Sequence, residues 1–251
     1  MSGAVLITGA SAGLGAEFAR QFAKRGQRLV LAARRKDRLD ALAAEVGNAR
    51  TIEIDLSEPG AAARLVADVE AAGETIETLI NNAGFGLRGR FVDLDAARER
   101  EMIDLNCGAL TDLCRAVVPG MIERGRGAIL NVASTAAFQP GPKMAVYFAT
   151  KAYVLSFTEA LHEELKPHGI KVSALCPGPT RTEFGDVAGI KTLGQFERLS
   201  MDAGPVVRAG LEGLDANKAV VIPGATNKIG AWSTRFAPRS VVRRIAGSLK
   251  F

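Results

Sequence analysis

Short apolar runs alternate with stretches of helical period along most of the chain, and this alternation restricts the fold more than any other feature. Ala4–Thr8, Arg28–Ala33, Thr51–Ile54, Thr78–Asn81, Gly127–Val132, Lys171–Cys176 and Lys218–Ile222 read as strands. Gly13–Arg25, Lys36–Glu45, Ala61–Ala72, Asp95–Arg124 and Ala145–Lys166 read as helices. Strands separated by helices form βαβ units, which predict a mostly parallel sheet. Runs such as Val5-Leu6-Ile7 and Leu29-Val30-Leu31 are apolar at every position, as suits strands covered on both faces. The expectation is an α/β fold: a doubly wound parallel sheet with helices on both faces. A length of 251 residues suits one such domain over 1–251, with 225–251 as a basic extension. The irregular stretch from about Gly178 to Gly194 is longer than an ordinary connection, and such loops are usually functional lids.

Charge and cysteine usage narrow the function. The net charge of +5 sits in the tail: from Ala216 to Phe251 there are seven basic residues and no acidic one. The remainder carries 25 basic against 27 acidic residues, which argues against a basic nucleic-acid groove across the domain. Cys107, Cys114 and Cys176 lack metal or disulfide spacing and read as reduced thiols. His162 and His168 have no acidic or cysteine partner at ligand spacing, so both read as surface or helix-end residues and no metal is expected. No apolar run reaches the roughly 20 residues of a membrane span. Met1-Ser2-Gly3 leads directly into the first strand pattern without the layout of a secretory signal, so a cytoplasmic location is expected.

The first strand runs into Thr8-Gly9-Ala10-Ser11-Ala12-Gly13-Leu14-Gly15 and then a helix. Glycines at 9, 13 and 15 allow a tight turn and close approach of a pyrophosphate, while the helix start offers free N–H groups and a positive dipole end. Dinucleotide binding is therefore expected. The second strand ends Ala33-Arg34-Arg35-Lys36, with cations where an NAD-selective site would place an acid. Arg34 can meet a 2′-phosphate through two donors, which predicts NADP(H) over NAD(H). Tyr147 and Lys151 lie four residues apart on one helix face. An ammonium so close is expected to lower the phenol pKa and make Tyr147 a usable proton donor and acceptor near neutral pH.

The glycine loop, Asn81-Asn82-Ala83-Gly84, Asn106, Ser134 and Tyr147-x-x-x-Lys151 occur in one order. Together they resemble the short-chain dehydrogenase/reductase family, of a general bacterial type, over about residues 4 to 225. The resemblance implies a Rossmann fold and a set of site residues. Gly9, Ser11, Gly13, Leu14 and Gly15 would form the phosphate loop. Asp55 and Leu56 match the family's segment beside the adenine. Asn82, Ala83 and Gly84 end the fourth strand against the cofactor. Pro177, Gly178, Thr180 and Thr182 match the segment over the nicotinamide, although the family usually has an aliphatic residue at Thr180. Lys151 would hold the nicotinamide ribose, and Asn106 would hold a water of the proton relay. Homodimers or homotetramers built on the long helices are the family's common assemblies.

The chemistry is self-consistent. Carbonyl reduction needs a hydride on carbon, which a nicotinamide provides, and a proton on oxygen. Tyr147 would supply the proton, and Ser134 would hydrogen-bond the substrate oxygen. The expected activity is an NADP(H)-dependent oxidoreductase acting on a small carbonyl or alcohol. A 3-oxoacyl thioester reductase is the first alternative, and an NADPH-sensing binding protein is the non-enzyme alternative. Residues Ala136–Met144, Phe85–Leu87 and 178–199 are expected to line the substrate pocket, with Phe138, Met144, Phe184 and Phe196 making it apolar. In the tail, Val241, Val242, Ile245 and Leu249 can share a helical face. A helix packed on the domain or at a subunit interface is the simpler expectation; contact with a membrane surface or an acidic partner is the alternative.

Overall fold

A computed structural model of the chain describes residues 3–189 and 200–248. Seven parallel strands form one sheet: β1 (Ala4–Thr8), β2 (Arg28–Ala33), β3 (Ala49–Glu53), β4 (Ile76–Asn81), β5 (Gly127–Val132), β6 (Ile170–Leu175) and β7 (Val220–Val221). Their order is β3-β2-β1-β4-β5-β6-β7. The helices are α1 (Gly13–Lys24), α2 (Lys36–Val46), α3 (Ala61–Ala71), α4 (Ala96–Ile103), α5 (Leu110–Arg124), α6 (Ala145–Leu165), the single turn α7 (Phe184–Val187), α8 (Ala203–Asp215), α9 (Ala225–Phe236) and α10 (Arg239–Ser248). The doubly wound parallel sheet is the Rossmann arrangement expected from the alternation.

The unbroken apolar strands are explained by two cores. Side chains alternate across a strand, so Leu6, Val30, Leu79 and Ile129 face one way and meet α3, α5 and α6 through Leu65, Val69, Leu113 and Val154. Val5, Ile7, Leu29, Leu31, Ile80 and Leu130 face the other way and meet α1, α2 and α8 through Phe18, Phe22, Leu39, Val206 and Leu211. A polar seam crosses the first core. Asn81 donates to Asn131 Oδ1 at 2.9 Å, and Asn131 donates to Thr158 Oγ1 at 3.0 Å, linking β4, β5 and α6. These bonds satisfy the donors of the seam, while Asn81 Oδ1 is buried without a hydrogen-bond partner among the described residues.

Several elements depart from the sequence reading. The edge strand β3 starts at Ala49 and pairs only with β2, so it is not apolar throughout and its start is not marked by hydrophobicity. The expected helix over 95–124 is interrupted by a π turn, Asp104–Ala109, between α4 and α5. Such a turn adds a residue to the helical repeat, often at a functional site. Here it contains Asn106, whose side chain is tied to the backbone of Phe85 and to Thr150. His162 is buried and not at the surface: its Nδ1 lies 2.7 Å from the carbonyl of Val172, fastening α6 to β6. The helix α9 rests against the turn Thr135–Phe138 and buries Ala231, leaving Ile229, Trp232 and Phe236 exposed.

Leu79, fully buried at the centre of the sheet, provides a measure of this packing. Leu79→Ala is expected to cost about 2–5 kcal/mol in urea-induced unfolding; a loss well under about 1 kcal/mol is incompatible with a close-packed site there.

Candidate active site

The carboxyl ends of β1 and β4 diverge because their crossover helices go to opposite faces, and this leaves a crevice. Thr8 stitches its base. The backbone N–H groups of Asn82 and Ala83 donate to Thr8 Oγ1 at 3.0 and 3.1 Å, and Thr8 Oγ1 reaches the carbonyl of Ile80 at 3.3 Å. The Asn82 amide donates to the carbonyls of Thr8 and Gly9 at 2.9 and 3.2 Å. Asn82 thus holds the glycine loop in place as well as lining the crevice.

The loop geometry requires its glycines. Gly9 and Gly13 have φ of 63° and 55°, which side-chain-bearing residues rarely adopt. A Cβ on Gly15 would stand 2.2 Å from the Gly9 carbonyl oxygen, so backbone and helix could not close up. Thr182 covers the loop from the opposite side, its Cβ 3.1 Å from where a Gly13 Cβ would be. The start of α1, after Ala12, has no side-chain cap among the described residues and no acid in its first turn. Its free N–H groups and positive dipole end suit a pyrophosphate.

A cavity of about 490 Å³ runs from this loop to the start of α6. Gly9, Ser11, Gly13 and Leu14 line its middle, Arg34, Asp55 and Leu56 one wall, and Asn82, Ala83 and Gly84 its floor. Ser134, Tyr147, Lys151, Pro177, Gly178, Thr180 and Thr182 also line it. Two expected site residues stand behind this surface: Gly15 inside the turn and Asn106 below Gly84. A Cβ on Gly84 would meet Asn106 Oδ1 at 2.8 Å and Lys151 Nζ at 3.6 Å.

Ser134 accepts from the N–H of Ala136 at 3.1 Å, which caps the short turn Thr135–Phe138 and fixes the hydroxyl at the cavity wall. Lys151 Nζ donates to the carbonyl of Val132 at 2.8 Å and lies 5.9 Å from the centre of the Tyr147 ring. The electrostatics differ from the expectation for this pair. Burial pushes the Tyr147 phenol up to about 12, opposed only in part by the Ser134 hydrogen bond. Burial also brings Lys151 down to about 8. Desolvation disfavours both charged forms, and it outweighs the attraction that was expected to lower the phenol. The phenol therefore remains protonated well above neutral pH.

Around Tyr147 the wall is apolar, with Phe85, Met144, Phe148 and Phe184. Phe184 packs 5.3 Å from the Tyr147 ring, centre to centre. Phe138, expected here, instead packs against the first core, and Phe196 lies outside the described residues. Phe148 was not singled out in the sequence, though its place one residue after Tyr147 is a usable signal. Arg34 Nη1 stands 3.4 Å from both Asp55 and Glu101. Arg35, not assigned a role from sequence, donates to Ser11 Oγ at 3.2 and 3.1 Å and so reaches the glycine loop. Arg90 is paired with Asp93 at 2.6 Å, on exposed side chains. Thiols withdrawn from solvent are poor nucleophiles: burial raises the half-buried Cys107 to about 11 and the buried Cys176 to about 12. Among the described residues no cluster of metal-ligating side chains is present, and no helix is long and apolar enough to cross a membrane.

Comparisons with known proteins agree with this geometry. The NADP-dependent 3-hydroxy acid dehydrogenase YdfG of Salmonella typhi is 39% identical over 186 residues, covering 73% of this chain and 75% of the relative. A short-chain dehydrogenase from Sphingobium yanoikuyae, solved with NADPH, superposes with a TM-score of 0.83 at 38% identity, covering 99% of this chain and 96% of that one. The bulky-bulky ketone specific alcohol dehydrogenase from Comamonas testosteroni gives a TM-score of 0.79 at 34% identity, covering 99% and 95%. The sequence pattern of the short chain dehydrogenases matches residues 3–191, and the chain belongs to that family of oxidoreductases acting on hydroxyl and carbonyl groups.

Proposed function

We propose that this protein is an NADP(H)-dependent carbonyl reductase or alcohol dehydrogenase in which Tyr147 is the general acid and base. The observation that carries the reading is the meeting of Ser134, Tyr147 and Lys151 in the cavity whose middle is the glycine loop. Arg34 in the cavity lining and Arg35 beside Ser11 support NADP(H) over NAD(H), as does the NADP dependence of the Salmonella relative. The glycine loop and the uncapped start of α1 would hold the pyrophosphate, Asp55 and Leu56 the adenine side, and Pro177, Gly178, Thr180 and Thr182 the nicotinamide side. When bound, the nicotinamide supplies the hydride that the carbonyl carbon receives.

The chain's own groups manage the proton. With its pKa raised to about 12, Tyr147 stays protonated at neutral pH and can donate to the carbonyl oxygen. The Ser134 hydroxyl would hydrogen-bond the same oxygen as charge develops. Lys151, still largely protonated at neutral pH, offsets the negative charge left on Tyr147. Behind them Asn106 fixes the floor through Phe85 and Thr150, and its π turn is where a water-linked proton path would leave. The aromatic wall around Tyr147 suits an apolar carbonyl compound.

We read the chain as one catalytic domain whose residues from 225 onward form a basic extension, and as a cytoplasmic protein, a location that its three unbridged thiols fit. The exposed Ile229, Trp232 and Phe236 on α9 support a contact surface, with a homodimer or homotetramer as the assembly. Light scattering that returns the mass of one chain at micromolar concentration would exclude that assembly.

A panel of ketones, aldehydes, alcohols and 3-oxoacyl thioesters, run in parallel with NADPH and NADH, tests the activity. Turnover of free carbonyl compounds with NADPH is expected; turnover confined to thioesters would reassign the substrate, and none at all would leave a cofactor-binding protein. Tyr147→Phe is expected to lower kcat by roughly 10²–10⁴ while leaving NADPH affinity nearly unchanged. Near-normal turnover in that variant would remove Tyr147 as the acid. The pH profile follows from Lys151, whose cation is present below about 8 and lost above it. Since kcat/KM reports groups of the free enzyme, kcat/KM for reduction should decline as pH rises through that value. A profile flat to pH ~10, the ordinary titration range of a lysine, would contradict the buried ammonium.

A further inference from the structure

A carboxylate crosses the mouth of the cavity from its opposite lip. Glu183 follows Thr182 in the segment that covers the glycine loop, and it lines the cavity. Its Oε2 lies 2.9 Å from Arg35 Nη1, and its other oxygen pairs with Arg38 one turn along α2. The same Arg35 guanidinium donates through Nε and Nη2 to Ser11 Oγ. Arg35 therefore links the phosphate loop, α2 and the covering segment through one planar group. Both arginines hold the Glu183 carboxyl below its usual range, so it is charged at neutral pH.

We propose that Glu183 is an internal counter-ion that competes with a 2′-phosphate for Arg35 and thereby sets how strongly the protein favours NADPH over NADH. This rests on the NADP(H) reading and names a residue that tunes it. A 2′-phosphate carries close to two negative charges and can use the guanidinium donors that now serve Ser11 and Glu183. Two anions cannot share Arg35 without repulsion, so Glu183 must withdraw, keeping Arg38 as its partner. The exchange is feasible because all three side chains are solvent-accessible, and such exposed ion pairs are individually weak. NADH, which lacks the phosphate, has no group to bring against the pair and leaves it in place.

Calorimetric titration of the full-length protein with 2′,5′-ADP, 5′-AMP, NADPH and NADH tests this without any turnover. Glu183→Gln, which keeps the shape and removes the charge, is expected to tighten 2′,5′-ADP and NADPH by about two- to fivefold. Affinity for 5′-AMP and NADH should stay the same, and the gain should shrink in high salt. In an Arg35→Gln background the effect of Glu183→Gln should vanish. Equal changes for phosphorylated and unphosphorylated ligands would overturn the proposal, because Glu183 would then act as a strap on the covering segment. No change in any affinity would also overturn it. If the unaltered protein binds 2′,5′-ADP no better than 5′-AMP, the NADP(H) reading falls and this inference with it. If that preference is present but indifferent to Glu183→Gln, only this inference falls.

Discussion

The hydroxyl of Thr8 joins the two halves of the sheet where they part. Parallel strands β1 and β4 need no side-chain help along their length, but beyond Thr8 and Asn81 the backbones diverge and the ladder no longer takes up the N–H groups, although that of Asn82 also reaches the Ile80 carbonyl at 3.0 Å. Thr8 Oγ1 accepts two of these, from Asn82 and Ala83. Asn82 returns the support by holding the carbonyls of Thr8 and Gly9. The position of the glycine loop depends on that exchange. So does the floor beneath Gly84, which stands over Asn106 and close to Lys151. Because unpaired buried backbone groups are costly, the crevice can stay open only with such polar residues at its base.

Burial governs the chemistry at the other end of the cavity. A tyrosine and a lysine one helical turn apart suggest mutual stabilisation of two charges. In this site the apolar wall of Phe85, Met144, Phe148 and Phe184 removes solvent from Tyr147, Lys151 is buried beside Val132 and Gly84, and a neutral phenol and a weakened ammonium result. The arrangement suits proton donation. In the proposed reaction the phenol would be protonated beforehand, and the nearby cation would matter only once negative charge forms on the oxygen.

What the sequence reveals follows from how local each feature is. The glycine loop, the strand ends and the Tyr147–Lys151 spacing are contiguous patterns with fixed geometry, so they can be read directly, and the apolar strands announce their two-sided burial. The start of β3 is hidden because an edge strand is only half-buried, with Ala49 and Ile52 reaching the cores between polar residues. The π turn at Asn106 is hidden because the partners of that side chain, Phe85 and Thr150, lie 21 and 44 residues away in the chain. His162 looks like an ordinary helix-end residue until β6 supplies the carbonyl of Val172. The bond from Arg35 to Ser11 and the pair between Arg35 and Glu183 join segments 24 and 148 residues apart. No spacing rule links such positions.

The packing of α9 has a consequence for how proteins of this kind diversify. Residues 3–191 contain the family's pattern, yet α9, which begins at Ala225, braces the wall on which the reaction would occur. It lies against the turn capped by Ser134, and Asn227 fills the space beside Gly178, where an added Cβ would meet its side chain at 2.4 Å. The groups that line the cavity and those that would react thus lie together in the earlier part of the chain, and a helix beyond the family's pattern supports them from behind. A change in that helix can therefore act on the cavity only by shifting the backbone it leans on, at the turn after Ser134 and at Gly178, without exchanging a single residue of the lining.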